Sequence, residues 1–182
     1  IILLLKRIQK IRKNKTKNFK NNFYKIPTYS NQVLFRESKM FCDWYVPKFI
    51  SKKKTLLLNK KLKVKIKYLL SNLKLKNNIF VHRDFHVSNL MYYKKNITVI
   101  DSQDALIGNK AYDLASLIDD VRFKTSEDFK NLIFKYYVSI NKNNINKSLF
   151  KNDFEILSIL RNLKIIGIFS RLAIRDKKKK YL

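Results

Sequence analysis

Glycine, proline and cysteine are nearly missing: the 182 residues hold two, two and one of them. Gly108 and Gly167 are too few and too far apart to make a glycine-rich loop that cradles phosphates. A single cysteine, Cys42, excludes an internal disulfide and any cysteine-rich metal site. Its neighbours Phe41 and Trp44 point to a buried, inert thiol, and a reducing cytoplasm is the expected location. Long apolar runs are missing too. Ile1 to Leu5 is too short to span a bilayer and lacks the basic-then-apolar order of a signal peptide. No methionine stands at the start: residue 1 is Ile and the first Met is Met40. The chain is therefore expected to begin inside a longer reading frame.

Acid is scarce as well. Thirteen Asp and Glu face 41 Lys and Arg, a net charge of +28. Such a surplus draws nucleic acid or an anionic membrane surface, since cations on a polyanion release counterions. Composition supplies a plainer cause. Lys outnumbers Arg, and Asn, Ile, Phe and Tyr abound, as a genome poor in G and C would impose on any protein. Sites shaped for phosphates or base edges favour the Arg fork, so nucleic acid is not read as the main partner. With 46% hydrophobic and 13% aromatic residues the chain can fill a core.

Hydrophobic periodicity predicts helices over 1–13, 31–46 and 55–75. The first carries Leu4, Ile8 and Ile11. The second carries Val33, Leu34, Met40, Phe41, Trp44 and Tyr45, with Pro47 as its stop. The third turns Leu56, Leu62, Ile66, Leu69, Leu70 and Leu73 inward and lysines outward. A basic loop, Lys13 to Asn31, joins the first two. Short strands are predicted at Ile79–His82, Leu90–Tyr93 and Ile97–Ile100. Helices return at 111–123, 126–140 and 153–175, the last with Phe154, Leu157, Leu160, Leu163, Ile166, Phe169 and Leu172 at steps of three. The expected fold class is α+β, mostly α-helical, with a small β-hairpin insert in a single domain, 1–182.

The few carboxylates are gathered. Eight of the 13 (Asp84, Asp101, Asp104, Asp113, Asp119, Asp120, Glu127 and Asp128) lie between 84 and 128, and none lies between Trp44 and Arg83. Carboxylates near strand ends are what a hard divalent cation takes as ligands. Asp119, Asp120, Glu127 and Asp128 have the humbler role of capping helices or offsetting lysines.

The stretch Val81-His82-Arg83-Asp84-Phe85-His86-Val87-Ser88-Asn89-Leu90-Met91, followed by Val99-Ile100-Asp101, puts an Asp after one strand, an Asn five residues on, and an Asp closing a second strand. It resembles the catalytic loop and metal-binding Asp of the protein-kinase-like superfamily, whose loop reads H-R-D-x-x-x-x-N. Ile100-Asp101-Ser102-Gln103-Asp104-Ala105, Ile107-Gly108 and Ala111-Tyr112-Asp113-Leu114-Ala115-Ser116-Leu117 narrow the resemblance to the aminoglycoside phosphotransferase and choline kinase branch. Within it the chain is most similar to bacterial anomeric kinases of N-acetylmuramate and N-acetylglucosamine in cell-wall recycling. Phe35-Arg36-Glu37, Phe41-Cys42-Asp43-Trp44-Tyr45 and Arg161 to Asp176 share that similarity, which runs from about Leu3 to Leu182. Ser88 and Ser102 depart from it, standing where the family commonly has Asp and Phe.

The resemblance implies the C-terminal lobe of a protein-kinase-like fold, with the hairpin carrying the catalytic loop and the N-terminal nucleotide-binding lobe absent. It implies Mg²⁺ and ATP as cofactors, with GTP open as donor. Asp84 is the catalytic base; Asn89 and Asp101 hold the metal and, through it, the nucleotide. His82 packs beneath the loop. His86 either contacts the sugar or supports the loop, and Gln103 and Asp104 either reach the acceptor or brace their own turn. Asp113 caps its helix or anchors the loop, with Arg83 as a candidate partner. Trp44 and Tyr45 are core, or flank a sugar.

The expected activity is ATP- and Mg²⁺-dependent phosphorylation of a hydroxyl on a small molecule, an amino sugar foremost. An aminoglycoside or choline-type acceptor is the alternative, and a non-catalytic basic fragment binding nucleic acid or a membrane surface is the second. Without the gripping lobe, the 182 residues alone are expected to show little kinase activity, below rates of order 1 s⁻¹.

Overall fold

A computed structural model describes residues 1–12 and 14–178. Lys13, the expected end of the first helix, lies outside them, as do residues 179–182 at the end of the resemblance. The chain divides into two compact units, one of residues 1–30 and 74–155, the other of 31–73 and 156–182.

The first unit opens with α1 (Ile2–Ile8), which buries Ile2, Leu5 and Ile8. The expected loop after it contains a small hairpin, β1 (Lys15–Lys17) and β2 (Phe23–Lys25), exposed throughout. Its turn is made by asparagines: Asn18 Oδ1 accepts the N–H groups of Lys20 and Asn22, and Asn21 takes a φ of 59°.

β3 (Asn77–Val81) alternates, burying Ile79 and Val81. It pairs antiparallel with β6 (Leu106–Asn109), a strand that the sequence reading did not assign. Thr28 bridges Ile107 in parallel, so Pro27 to Tyr29 runs along the outer edge of β6. Gly108 sits tightly there: a Cβ would lie 3.0 Å from the Tyr29 Cβ and 3.1 Å from the Val81 Cγ2. Between β3 and β6 stands a second hairpin, β4 (Leu90–Tyr93) and β5 (Asn96–Val99), in register from Leu90↔Val99 to Tyr93↔Asn96.

Helix α5 (Tyr112–Ile118) follows and buries six of its seven residues. It ends well short of 123, and just beyond it Asp120 Oδ1 accepts the Arg122 N–H at 3.2 Å. Helix α6 (Glu127–Ile140) begins at Ser126, whose Oγ accepts the Phe129 N–H. Phe85, Leu114, Tyr137 and Phe150, all fully buried, fill this core. Each large side chain taken out of water contributes about 1.5–3 kcal/mol.

The second unit is helical. In α2 (Asn31–Ser38) the chain starts a run that Pro47 does not stop. Five residues, Phe41–Tyr45, pair at π spacing, and α3 (Val46–Phe49) carries Pro47 in its first turn. Proline costs a helix one hydrogen bond and a clash with the carbonyl four residues back; the widened turn just before it absorbs that cost.

Helix α4 (Lys52–Ser71) buries Ile66 and Leu70 but leaves Leu56, expected inward, 82% exposed. Helix α7 (Lys147–Ile174) begins in the first unit and continues into the second. Its buried positions in the second unit, among them Ile156, Leu157, Leu160, Ser170 and Ala173, follow the 3.6-residue period. Steps of three drift around a helix, so Ile166 ends 37% exposed. Gly167 permits a close approach: a Cβ there would lie 2.4 Å from the Met40 carbonyl carbon.

Candidate active site

The loop from His82 to Asn89 leaves β3 at Val81, which is fully buried opposite Leu106. Its first two amides are gripped at once. The N–H groups of His82 and Arg83 donate to the two carboxylate oxygens of Asp113, at 2.8 and 3.0 Å. Asp113 is fully buried in the first turn of α5, where the helix dipole favours a negative charge. The anchor expected of Asp113 is thus made to backbone amides.

That grip holds Arg83 at a φ of 73°, a left-handed conformation costing about 1 kcal/mol or more for a side chain with a Cβ. The Arg83 guanidinium lies 5.5 Å from the centre of the Tyr29 ring, and its Nη1 donates to the Asp104 carbonyl at 3.1 Å. Tyr29 in turn donates to the Tyr112 hydroxyl at 2.9 Å. Tyr29 came from a stretch read as polar loop, and nothing in its neighbours marked it.

Further along, Phe85 plugs into the core with no exposure, while Asp84 beside it is partly exposed. The loop then folds on itself. His86 N–H donates to the Asp84 carbonyl, Asn89 N–H to the His86 carbonyl, and Asn89 Nδ2 to the Asp84 carbonyl, each at 3.0 Å. With its amide nitrogen committed inward, Asn89 keeps Oδ1 as the atom for a cation.

The Asn89 carbonyl accepts from Ile100 N–H at 3.0 Å, so the hairpin closes with Asp101 next to the end of the loop. Asp101 is exposed, has a φ of 70°, and accepts from Gln103 Nε2 at 2.5 Å. Gln103 and Asp104 are exposed, and Arg83 and Asp101 tie their turn down.

His82 lies 1% exposed near Asp84 and Asp101. Burial pushes its ring toward the neutral form, against the pull of the Ile100 carbonyl and those two carboxylates. His86 is 6% exposed. Trp44 and Tyr45 belong to the other unit, where Tyr45 stacks between Phe41 and Phe49 with ring centres 4.8 and 4.6 Å away.

Among the described residues no three of His, Cys, Asp and Glu form a metal cluster. Mg²⁺ does not need one. It keeps waters and takes one or two protein oxygens plus phosphate oxygens. Asn89 Oδ1 and the Asp101 carboxylate have the oxygen-donor chemistry that such a cation takes.

Residues 4–142 match the model of the phosphotransferase enzyme family, and the chain belongs to that family. Over 161 residues it is 34% identical to an N-acetylmuramate/N-acetylglucosamine kinase of Neisseria meningitidis serogroup B, covering 86% of this chain and 48% of that protein. Kinases of the same name from Pseudomonas aeruginosa and Pseudomonas putida are 32% and 28% identical, with the same coverage. The chain spans about half the length of the curated relatives it matches.

Proposed function

We propose that this chain is the catalytic and acceptor-binding lobe of a protein-kinase-like phosphotransferase, acting on a hydroxyl of an amino sugar such as N-acetylmuramate or N-acetylglucosamine. The observation that carries the reading is the loop geometry. Asn89 Nδ2 is tied to the Asp84 carbonyl and the Asn89 carbonyl to Ile100 N–H, which gathers Asp84, Asn89 and Asp101 at one end of the hairpin.

In this reading Asp84 orients the attacking hydroxyl and accepts its proton. Asn89 Oδ1 and Asp101 hold Mg²⁺, which when bound neutralises charge on the phosphates of ATP. Asp113 and His82 position the loop. Arg83 ties it to the turn of Gln103 and Asp104, which faces outward toward an acceptor, and His86 is the further candidate for a sugar contact.

The names of the relatives support the sugar. So does the scarcity of acid, 13 Asp and Glu against 41 Lys and Arg. A polycationic aminoglycoside calls for acidic groups. Two glycines cannot supply the phosphate-gripping strand pair, so that part of the enzyme is assigned to sequence outside these residues. Among the described residues no helix is long and apolar enough to cross a membrane; the reading places the enzyme in the cytoplasm.

The test is ATP-dependent phosphorylation of N-acetylmuramate, N-acetylglucosamine, kanamycin and choline by the chain expressed with the coding sequence upstream of Ile1. One of the two amino sugars is expected to be phosphorylated, with Asp84→Asn slower by about 10³-fold. Transfer to none of the four, or full activity in Asp84→Asn, would refute the reading.

A further inference from the structure

Away from the catalytic loop, at the opposite end of β3, the first unit has a second cavity of about 550 Å³. Five cations line it: Lys6 on α1, Lys10 and Arg12 just after it, Lys76 ahead of β3, and Lys110 after β6. Its remaining polar lining is amide, and no carboxylate contributes. Among the described residues the ion pairs formed involve none of these five cations.

The plain explanation is that the cations offset helix ends. Lys6 Nζ does donate to the Ile140 carbonyl at the end of α6, and α1 also ends here. Two helix C-termini supply roughly one negative charge between them. Five cations exceed that several-fold. The nearby Asp153 carboxylate, held by the N–H groups of Lys74 and Leu75 and the amide of Asn109, adds one negative charge and still leaves the cations in excess.

The floor is built and held. Gln9 and Asn141 are 4% and 3% exposed. Gln9 donates to the Lys110 carbonyl at 2.9 Å and accepts from the Tyr137 hydroxyl at 2.5 Å, while Asn141 donates to the Tyr137 carbonyl at 2.9 Å. Lys110 is half-buried, and its burial together with Arg12 and Lys6 disfavours its charge. Charges of one sign held together on a rigid floor lack a counterion.

We propose that this cavity binds a small phosphate-bearing anion at a site separate from the candidate active site. The volume matches pockets that enclose small molecules, about 300–1,000 Å³. A nucleic-acid backbone would instead need an open basic surface or groove. Lys110 and Lys6 meet the anion at the floor, and Lys10, Arg12 and Lys76 close around it from the rim. The inference stands apart from the kinase reading and survives if that reading fails.

Calorimetry tests it: inorganic pyrophosphate is titrated into the 182-residue chain, with EDTA present to silence any metal-dependent site. Single-site binding is expected, weakening as salt rises from about 50 to 200 mM. Lys110→Gln and Lys76→Gln should each weaken it about tenfold, while Lys60→Gln, on exposed α4, leaves it unchanged. Circular dichroism reports whether each variant is folded; if Lys110→Gln is not, the exposed Lys76→Gln decides. Binding no tighter than about 10 mM, equal weakening by Lys60→Gln, or indifference to both cavity variants would overturn the proposal. So would a single-stranded RNA that binds through these lysines when pyrophosphate does not.

Discussion

Strand β3 is held at both ends by the same device, used for different purposes. Ahead of the strand, fully buried Asp153 accepts the N–H groups of Lys74 and Leu75, each at 2.8 Å. Behind it, fully buried Asp113 accepts those of His82 and Arg83. The Asp153 end also takes side-chain amides from Asn109 and Asn152, at 2.6 and 2.9 Å, and its two gripped residues have ordinary backbone. The Asp113 end grips a residue in the left-handed region, with Asp84 next along the chain. One carboxylate anchors a strand. The other spends part of its hold keeping a loop in a conformation it would not choose.

Removing the first should cost the most. Asp153→Ala leaves two backbone and two side-chain donors without their acceptor, each a loss of about 1–3 kcal/mol when buried. A total of about 4 kcal/mol is expected, read as a fall in the denaturant midpoint. Whatever remains folded should keep its loop geometry, so nucleotide binding per folded molecule, measured with the upstream sequence present, is unchanged. A parallel loss of binding would break the comparison, since both ends would then serve the loop.

Asp113→Asn should cost less stability, about 2 kcal/mol, and more function. One oxygen still accepts an amide, but the new NH₂ group faces the other donor. Arg83 then has no reason to stay at positive φ, and the Arg83–Asp104 tie goes with it. Phosphoryl transfer by the chain with its upstream sequence should fall by much more than the folded fraction does. If transfer simply tracks the folded fraction, Asp113 is an anchor like Asp153 and nothing more.

How much of this was legible beforehand follows from which interactions leave a local trace. Asp84, Asn89 and Asp101 are close in sequence, and their spacing between two apolar runs marked the loop before any fold was known. The hairpin Leu90–Tyr93 with its partner was legible for the same reason. Asp153 was not, because its partners lie far back in the chain, at Lys74 and Leu75, and nothing near 153 marks them. Strand β6 was missed because Leu106–Asn109 is short and contains Gly108, whose role is defined by Tyr29, again far away. The stripe on α7 was drawn at steps of three, where the helix turns at 3.6. What a sequence hides here is long-range pairing.

A pH titration probes the loop end of the strand. Burial holds the His82 pKa below its ordinary 6.5, so the unfolded chain binds a proton that the folded one refuses. The stability this gives is present above 6.5 and is lost as pH falls below that value toward the folded pKa. The slope is at most about 1.4 kcal/mol per pH unit. His82→Gln should flatten the stability curve below about pH 6.5. An unaltered slope in His82→Gln would mean that other groups govern the acid limb.

The smallest effect concerns left-handed residues that no carboxylate holds. Lys94 and Lys95 form the two-residue turn of the β4–β5 hairpin, with φ of 45° and 63°. That pair of positive angles suits a type I′ turn, which matches the twist of a hairpin and favours Asn-Gly. Lysine there bears the steric cost of its Cβ without the grip that Asp113 gives Arg83. Replacing Lys94-Lys95 by Asn-Gly should therefore raise stability by about 1 kcal/mol, seen as a higher denaturant midpoint with an unchanged slope. Arg83→Gly removes the same kind of strain but should lower phosphoryl transfer, because the stack on Tyr29 and the bond to Asp104 go with the side chain. Strain at the hairpin tip is then a cost with no return, while strain at Arg83 aims the loop. Equal behaviour of the two variants, stable and active alike, would remove that distinction.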